Sequence, residues 1–171
     1  KQGRSQAELA GKLIKDLNIE FDAYFTSVQI RAIDTLEIIL DVLDKKNSKI
    51  EKAWELNERH YGALTGLSKD EMIKKHGKQQ VHIWRRSFDV PPPPMEKTHP
   101  NHPFKYKAYI NIPVSKIPSS ESLKNTFERV MPYYEENIKP LLSSNKNILI
   151  SAHGNSLRAL CKKLFNISNK E

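Results

Sequence analysis

The sequence predicts an α/β fold with a largely parallel sheet, and three observations carry that expectation. Short runs at 21–26 and 147–152, rich in aromatic and β-branched residues, and an alternating stretch at 50–56 read as strands. They alternate with segments whose apolar residues recur at helical spacing, so crossover helices must join strands that run in the same direction. Twice, near residues 26–31 and 151–158, a strand leads almost at once into a helix. That order puts polar side chains at the carboxyl ends of strands, where open α/β sheets gather their ligands.

Each element follows from its residues. Ala7, Leu9, Leu13, Ile14 and Leu17 mark an amphipathic first helix. Beyond the strand at 21–26, Ser27 is expected to cap a second helix buried through Ile30, Ile33, Leu36, Leu40 and Leu43. Arg31 then falls in that helix's first turn, where a cation opposes the dipole. A residue that costs local stability is a candidate for function, and an ordinary exposed arginine is the bland alternative. The second strand, 50–56, runs into Asn57-Glu58-Arg59-His60-Tyr61-Gly62. This polar and aromatic cluster either pins its own loop or lines a site.

Ser68 and Glu71 have the spacing of a capping box for a short helix ending near Gly77, and Lys69 inside it is a surface charge or a reach toward a ligand. Arg85 and Arg86 suit a forked clamp on a carboxylate or phosphate, although paired arginines also decorate surfaces. The prolines at 91–94 predict a stiff extended link or an SH3-type ligand. Residues 97–118 read as a long surface loop, in which His99 and His102 find no cysteine or carboxylate cluster to complete a metal set. Ser120 is expected to cap a long helix with the stripe Leu123, Phe127, Val130, Met131, Tyr134 and Ile138, kinked near Pro132. After the strand at 147–152, His153 stands at the strand end, Gly154-Asn155-Ser156 turns the chain, and Leu157, Leu160, Leu164 and Phe165 mark the last helix. A histidine there can meet a phosphate beside the helix N-terminus, or merely bond a loop carbonyl.

The bulk properties narrow the class. A length of 171 residues suffices for one domain with a real core. No apolar run approaches the length of a bilayer span and no signal-peptide pattern opens the chain, so a soluble, cytoplasmic protein is expected, with no membrane partner. The lone Cys161 cannot form an internal disulfide, which suits a reducing compartment, and it is expected to fill core space. A net charge of +8 and a pI near 9.5 point to an anionic partner. A nucleic-acid-binding module would need basic residues interleaved with aromatics on one face, whereas the informative arginines fall at strand ends, so no nucleic acid is expected.

Four stretches carry a more specific likeness. Residues 56–64 (Leu-Asn-Glu-Arg-His-Tyr-Gly-Ala-Leu), 80–87 (Gln-Val-His-Ile-Trp-Arg-Arg-Ser), 89–94 and 152–160 (Ala-His-Gly-Asn-Ser-Leu-Arg-Ala-Leu) resemble the cofactor-dependent phosphoglycerate mutases of the histidine phosphatase superfamily, in the same order and across nearly the whole chain. The resemblance implies a three-layer sandwich in which a mostly parallel sheet is flanked by helices, and a single domain over 1–171. The family's Arg-His-Gly-Glu motif, whose histidine takes the phosphoryl group, has no counterpart among these residues. The domain is therefore expected to be incomplete at both ends and inactive alone.

What the resemblance implies for chemistry is interconversion of 3-phosphoglycerate and 2-phosphoglycerate through a phosphohistidine, primed by 2,3-bisphosphoglycerate and needing no metal. Arg31 and His153 would hold the transferring phosphoryl group, with Gly154 and Asn155 as further donors. Glu58 would act as general acid and base. Arg59, His60, Tyr61, Lys69, Arg85 and Arg86 would complete the substrate-binding set, and a homodimer or homotetramer would be usual. The rival readings are another phosphatase or signalling member of the superfamily, a bisphosphoglycerate synthase or phosphatase, and a nonenzymatic remnant.

Overall fold

A computed structural model describes residues 2–168. Within it the chain divides into two compact units, one formed by residues 2–57 and 132–153 and the other by 58–131 and 154–168.

The first unit holds the sheet. Strands β1 (Ala23–Thr26), β2 (Ile50–Lys52) and β3 (Ile148–Ser151) are all parallel in the order β2-β1-β3. The central strand is the most buried, as a strand covered on both faces should be. Tyr24 packs with Leu36 and Leu40 of helix α2 (Ile30–Val42), joined by Phe21, Ile50 and Leu149. Phe25 points to the opposite face and meets the edge of Tyr133 at a centroid distance of 6.3 Å. Helical residues thus lie on both sides of a parallel sheet, as the expected three layers require. The strand expected over 50–56 is shorter, because Trp54–Leu56 winds into a 3-10 turn.

Helix α1 (Gln2–Asp16) presents the reverse of the face its leucines suggested. Ala7 and Gly11 are buried, whereas Leu9, Leu13 and Leu17 are exposed. A Cβ at Gly11 would lie 2.9 Å from that of Val42, so small residues are what let α1 approach α2 closely. The buried face of α2 is likewise rotated to Ala32, Leu36, Ile39 and Leu40, with Ile30 in solvent.

In the second unit, α3 (Lys69–His76) starts with the expected capping box, in which Ser68 Oγ accepts from Glu71 N and Glu71 Oε2 accepts from Ser68 N. Gly77 ends it at φ 80°, and α4 (Lys78–Arg86) follows at once. Val81 and Trp84 of α4 close a core with Leu64 and Met72. The proline run is not a free ligand for a partner. Pro92 is buried, Pro92 O accepts from Ser120 Oγ at 2.6 Å and Pro93 O from Ala63 N at 2.9 Å.

Residues 97–118 form three 3-10 turns, and His102 and Tyr109 within them are buried. The cap of α5 (Leu123–Tyr133) is Ser122 rather than Ser120, since Ser122 Oγ accepts from Asn125 N. Pro132 lies inside α5, and a π-helical segment, Tyr134–Ile138, follows it before α6 (Lys139–Ser143). Helix α7 (Gly154–Leu164) begins directly after His153, so Gly154-Asn155-Ser156 is its first turn rather than a separate loop. Phe165 and Cys161 are exposed, which corrects the expectation of a core cysteine. Among the described residues no helix is long and apolar enough to cross a membrane.

Candidate active site

Two groups of side chains assemble, one in each unit. In the first, the register pairs Thr26 with Ser151, so the residues just beyond the carboxyl ends of β1 and β3 are neighbours. Thr26 Oγ1 strengthens that pairing by donating to Ser151 O at 2.7 Å. His153, only 4% exposed, then lies between two side chains from the other strand's exit. Ser27 Oγ is 2.8 Å from its Nε2, and Arg31 Nη2 is 2.9 Å from its Nδ1. Ser27 is therefore not the helix cap that its position suggested. Gln29 occupies that place, with no side-chain cap bond, and its amide donates to Ser27 Oγ at 3.1 Å.

Arg31 stands in the first turn of α2 as expected, exposed apart from its contact with the ring. Its poor fit to the helix dipole is offset by that contact and leaves donors directed outward. A separate groove along α2 and the β2 edge is lined by Arg4, Arg31, Asp34, Asp41, Lys46 and Lys52. Its mixture of acids and bases does not suit a polyanion.

In the second unit, Glu58 Oε1 accepts three N–H bonds, from Arg59 N at 2.8 Å, Asn155 Nδ2 at 2.9 Å and Asn155 N at 3.3 Å. Asn155 Nδ2 also reaches Tyr61 Oη at 3.1 Å. The start of α7 thus fixes one oxygen of a half-buried carboxylate and orients a phenol beside it. Gly154 precedes Asn155 as the first residue of α7 and is exposed, with nothing within 4 Å of the position a Cβ would take.

Arg59 and His60 behave differently from their neighbours. The Arg59 side chain is turned inward, 3% exposed, donating from Nη1 to Trp84 O at 2.9 Å and stacking over the Tyr61 ring at 4.7 Å. Among the described residues its Nε has no hydrogen-bond partner. The His60 ring packs edge-on to Tyr109, and burial lowers its pKa from 6.5 to about 4, partly opposed by the charge of Glu121.

Sequence reasoning missed what holds this loop. Glu121, 2% exposed, accepts from His60 N at 2.9 Å through Oε2, while Glu121 N donates to His60 O at 2.8 Å. Both carboxylate oxygens are gripped by Arg129 at 2.7 and 2.8 Å. Nothing in the local pattern distinguishes Glu121 from a surface acid, because its burial arises from packing between distant segments.

Lys69, Arg85 and Arg86 are exposed, and no ion pair among the described residues neutralises them. Arg85 and Arg86 occupy the last turn of α4, where cations favour the helix dipole. His99 and His102 serve local turns, accepting from Asn101 N and Phe104 N. No group of three or more metal-ligating side chains occurs among the described residues.

Comparison with known proteins shows the family. Residues 1–102 fit the profile of the histidine phosphatase superfamily (branch 1). Over 169 residues, 99% of this chain and 71% of the relative, it is 51% identical to the 2,3-bisphosphoglycerate-dependent phosphoglycerate mutase of Pelagibacter ubique. The chain belongs to the phosphoglycerate mutases of the histidine phosphatase superfamily. A relative of the same description from Hydrogenobaculum is 49% identical over 170 residues, 99% of this chain and 69% of its own length. One from Xylella fastidiosa is 52% identical over 163 residues, 95% of this chain and 66% of its own. The chain thus spans about two thirds of the length of such relatives.

Solved structures agree on the fold alone. The phosphoglycerate mutase of Bacillus anthracis superposes with a TM-score of 0.67 at 19% identity, covering 97% of this chain and 68% of that one. A mycobacterial glucosyl-3-phosphoglycerate phosphatase superposes with a TM-score of 0.66 at 17% identity, covering 98% of this chain and 69% of that one.

Proposed function

We propose that this chain binds phosphoglycerates and serves an enzyme that interconverts 3-phosphoglycerate and 2-phosphoglycerate. The observation that carries the reading is the Glu58 cluster, in which three N–H donors converge on one carboxylate oxygen beside the Tyr61 phenol. A carboxylate held on one oxygen by fixed donors is aimed rather than free, as a group that shuttles the proton of a substrate hydroxyl should be. Glu58 takes that proton as the hydroxyl attacks and returns it as the group leaves.

Arg31 and His153 steady the phosphoryl group at the strand ends. Because charge in phosphoryl transfer spreads over equatorial oxygens, positioning and neutralisation supply most of the catalysis. Gly154 and Asn155 add donors from the start of α7, where the helix dipole favours an anion. Arg85 and Arg86 grip the substrate carboxylate in fork geometry, Lys69 meets the distal charge, and Tyr61 lines the same substrate. Arg59 and His60 complete the substrate-binding set by likeness to the family.

The cations also fit a 2,3-bisphosphoglycerate cofactor, since Lys69, Arg85 and Arg86 carry charge that no carboxylate of the described residues neutralises. When bound, that group supplies the phosphoryl that primes the enzyme. The same residues would hold it. We further infer a cytoplasmic homodimer or homotetramer, by likeness to the family; sedimentation as a monomer at micromolar concentration would refute the assembly.

The test is turnover in the full-length protein. Glu58→Gln keeps the hydrogen-bonding shape and removes the proton acceptor, so mutase turnover should fall at least about 100-fold while the melting temperature holds. Unchanged turnover would overturn the role. Product analysis with all three glycerate phosphates separates the mutase from a bisphosphoglycerate synthase or phosphatase.

A further inference from the structure

The contacts around His153 determine where its hydrogen sits. A guanidinium offers only N–H donors. Arg31 Nη2 at 2.9 Å therefore requires a lone pair on Nδ1 of the ring. A neutral imidazole then carries its hydrogen on Nε2, and that N–H donates to Ser27 Oγ at 2.8 Å. The second lone pair of the same oxygen receives the Gln29 amide at 3.1 Å. Ser27 is a double acceptor, fully buried, one residue beyond the end of β1. A hydrogen on Nδ1 would instead confront the N–H groups of Arg31 and break the pair.

We propose that Ser27 is a positioning residue for His153, its oxygen taking the Nε2 hydrogen and holding the buried ring in the one tautomer whose Nδ1 lone pair orients the Arg31 guanidinium. The inference rests on the reading that Arg31 and His153 handle a phosphoryl group, and it deepens that reading by giving each member a distinct task. Ser27 touches no substrate. It secures the ring, the ring aims the arginine, and the remaining donors of the arginine face outward. A two-step chain of this kind resists the entropy of a long exposed side chain, which otherwise samples many rotamers.

The experiment uses the whole chain uniformly labelled with 15N, with long-range proton–nitrogen spectra of the histidine rings recorded at neutral pH without ligand. His153 should show a single Nε2–H tautomer, with the Nε2 hydrogen slow to exchange. Ser27→Ala should speed that exchange at least about tenfold while the backbone amide spectrum is retained, since only the acceptor is lost. Ser27→Thr, which keeps the hydroxyl, should restore it. Should Ser27→Ala fail to fold, Ser27→Cys, nearly isosteric and a weak acceptor, must show the same faster exchange. Arg31→Met should release Nδ1 and produce a mixture of tautomers.

An Nδ1–H tautomer in the unaltered chain, or wild-type exchange in Ser27→Ala or Ser27→Cys, would overturn the proposal. Inorganic phosphate, added separately, should move the Arg31 and His153 signals. No response to phosphate would sink the phosphoryl-handling role, whereas the ligand-free tautomer tests the Ser27 contact itself.

Discussion

Replacing Gly62 by alanine should unfold the chain more easily than any other single methyl addition at a glycine. Gly62 has φ +58°, the left-handed region in which an L side chain costs about 1–2 kcal/mol. A Cβ there would stand 2.1 Å from Pro93 O, closer by roughly 1 Å than a carbon and an oxygen tolerate. Relief requires moving the Pro93 carbonyl, which accepts from Ala63 N at 2.9 Å. Losing that bond adds about 1–3 kcal/mol if the donor stays buried. The sum is about 2–5 kcal/mol, or a fall in melting temperature on the order of 10 °C for a chain of this size. Urea unfolding followed by tryptophan fluorescence and calorimetry would measure it. Gly3→Ala is the control, since nothing lies within 4 Å of its added Cβ and it sits inside α1. That change should stabilise by about 0.5–1 kcal/mol. A Gly62→Ala melting temperature within a degree of the parent would refute the reasoning.

The other expectations concern the same loop and its ligand. With the folded pKa of His60 at about 4 against an ordinary 6.5, the unfolded chain takes the proton first. The contribution of His60 to stability is therefore full above pH 6.5 and lost as pH falls toward 4, by about 3 kcal/mol in all. His60→Phe should flatten urea stability across that window, and an equally steep profile would argue against burial as the cause. Glu121→Gln breaks the buried ion pair with Arg129, whose side chain is 6% exposed, and should cost about 3–5 kcal/mol in urea unfolding. A loss below about 1 kcal/mol would mean that the pair is dispensable. Arg85→Lys, at an exposed position, should leave stability unchanged and raise the Michaelis constant for 3-phosphoglycerate about tenfold, because an ammonium cannot make the two-pronged contact; equal kinetics would count against the clamp.

Reading the sequence succeeded where a local pattern has one physical solution. The capping box at Ser68 and Glu71 formed as spaced, because it is closed by atoms three residues apart. The strand exits that carry Arg31 and His153 lay where the apolar runs ended. It failed where several solutions were compatible with the pattern. The leucines of α1 proposed one buried face, and the small residues Ala7 and Gly11 took it because they allow two helices to come close. Residues 78–86 offered an arginine pair but no cap or periodic run long enough to announce α4, whose inward face is only Val81 and Trp84. Family resemblance named Arg59 among residues that grip substrate, yet nothing near it in the chain shows that its guanidinium turns inward to Trp84 O.

By itself, then, the order of residues determined the class of fold, the parallel run of the strands and the family, since periodicity, caps and motifs are short-range properties that survive translation into three dimensions. Only the tertiary structure decided which oxygen stands beside Nε2 of His153, which buried acid anchors the Glu58 loop and which cations among the described residues lack an ion pair. Those choices rest on contacts between residues up to 126 apart in the chain, such as Ser27 with His153. A hydrogen bond depends on distance and direction, and packing alone supplies both.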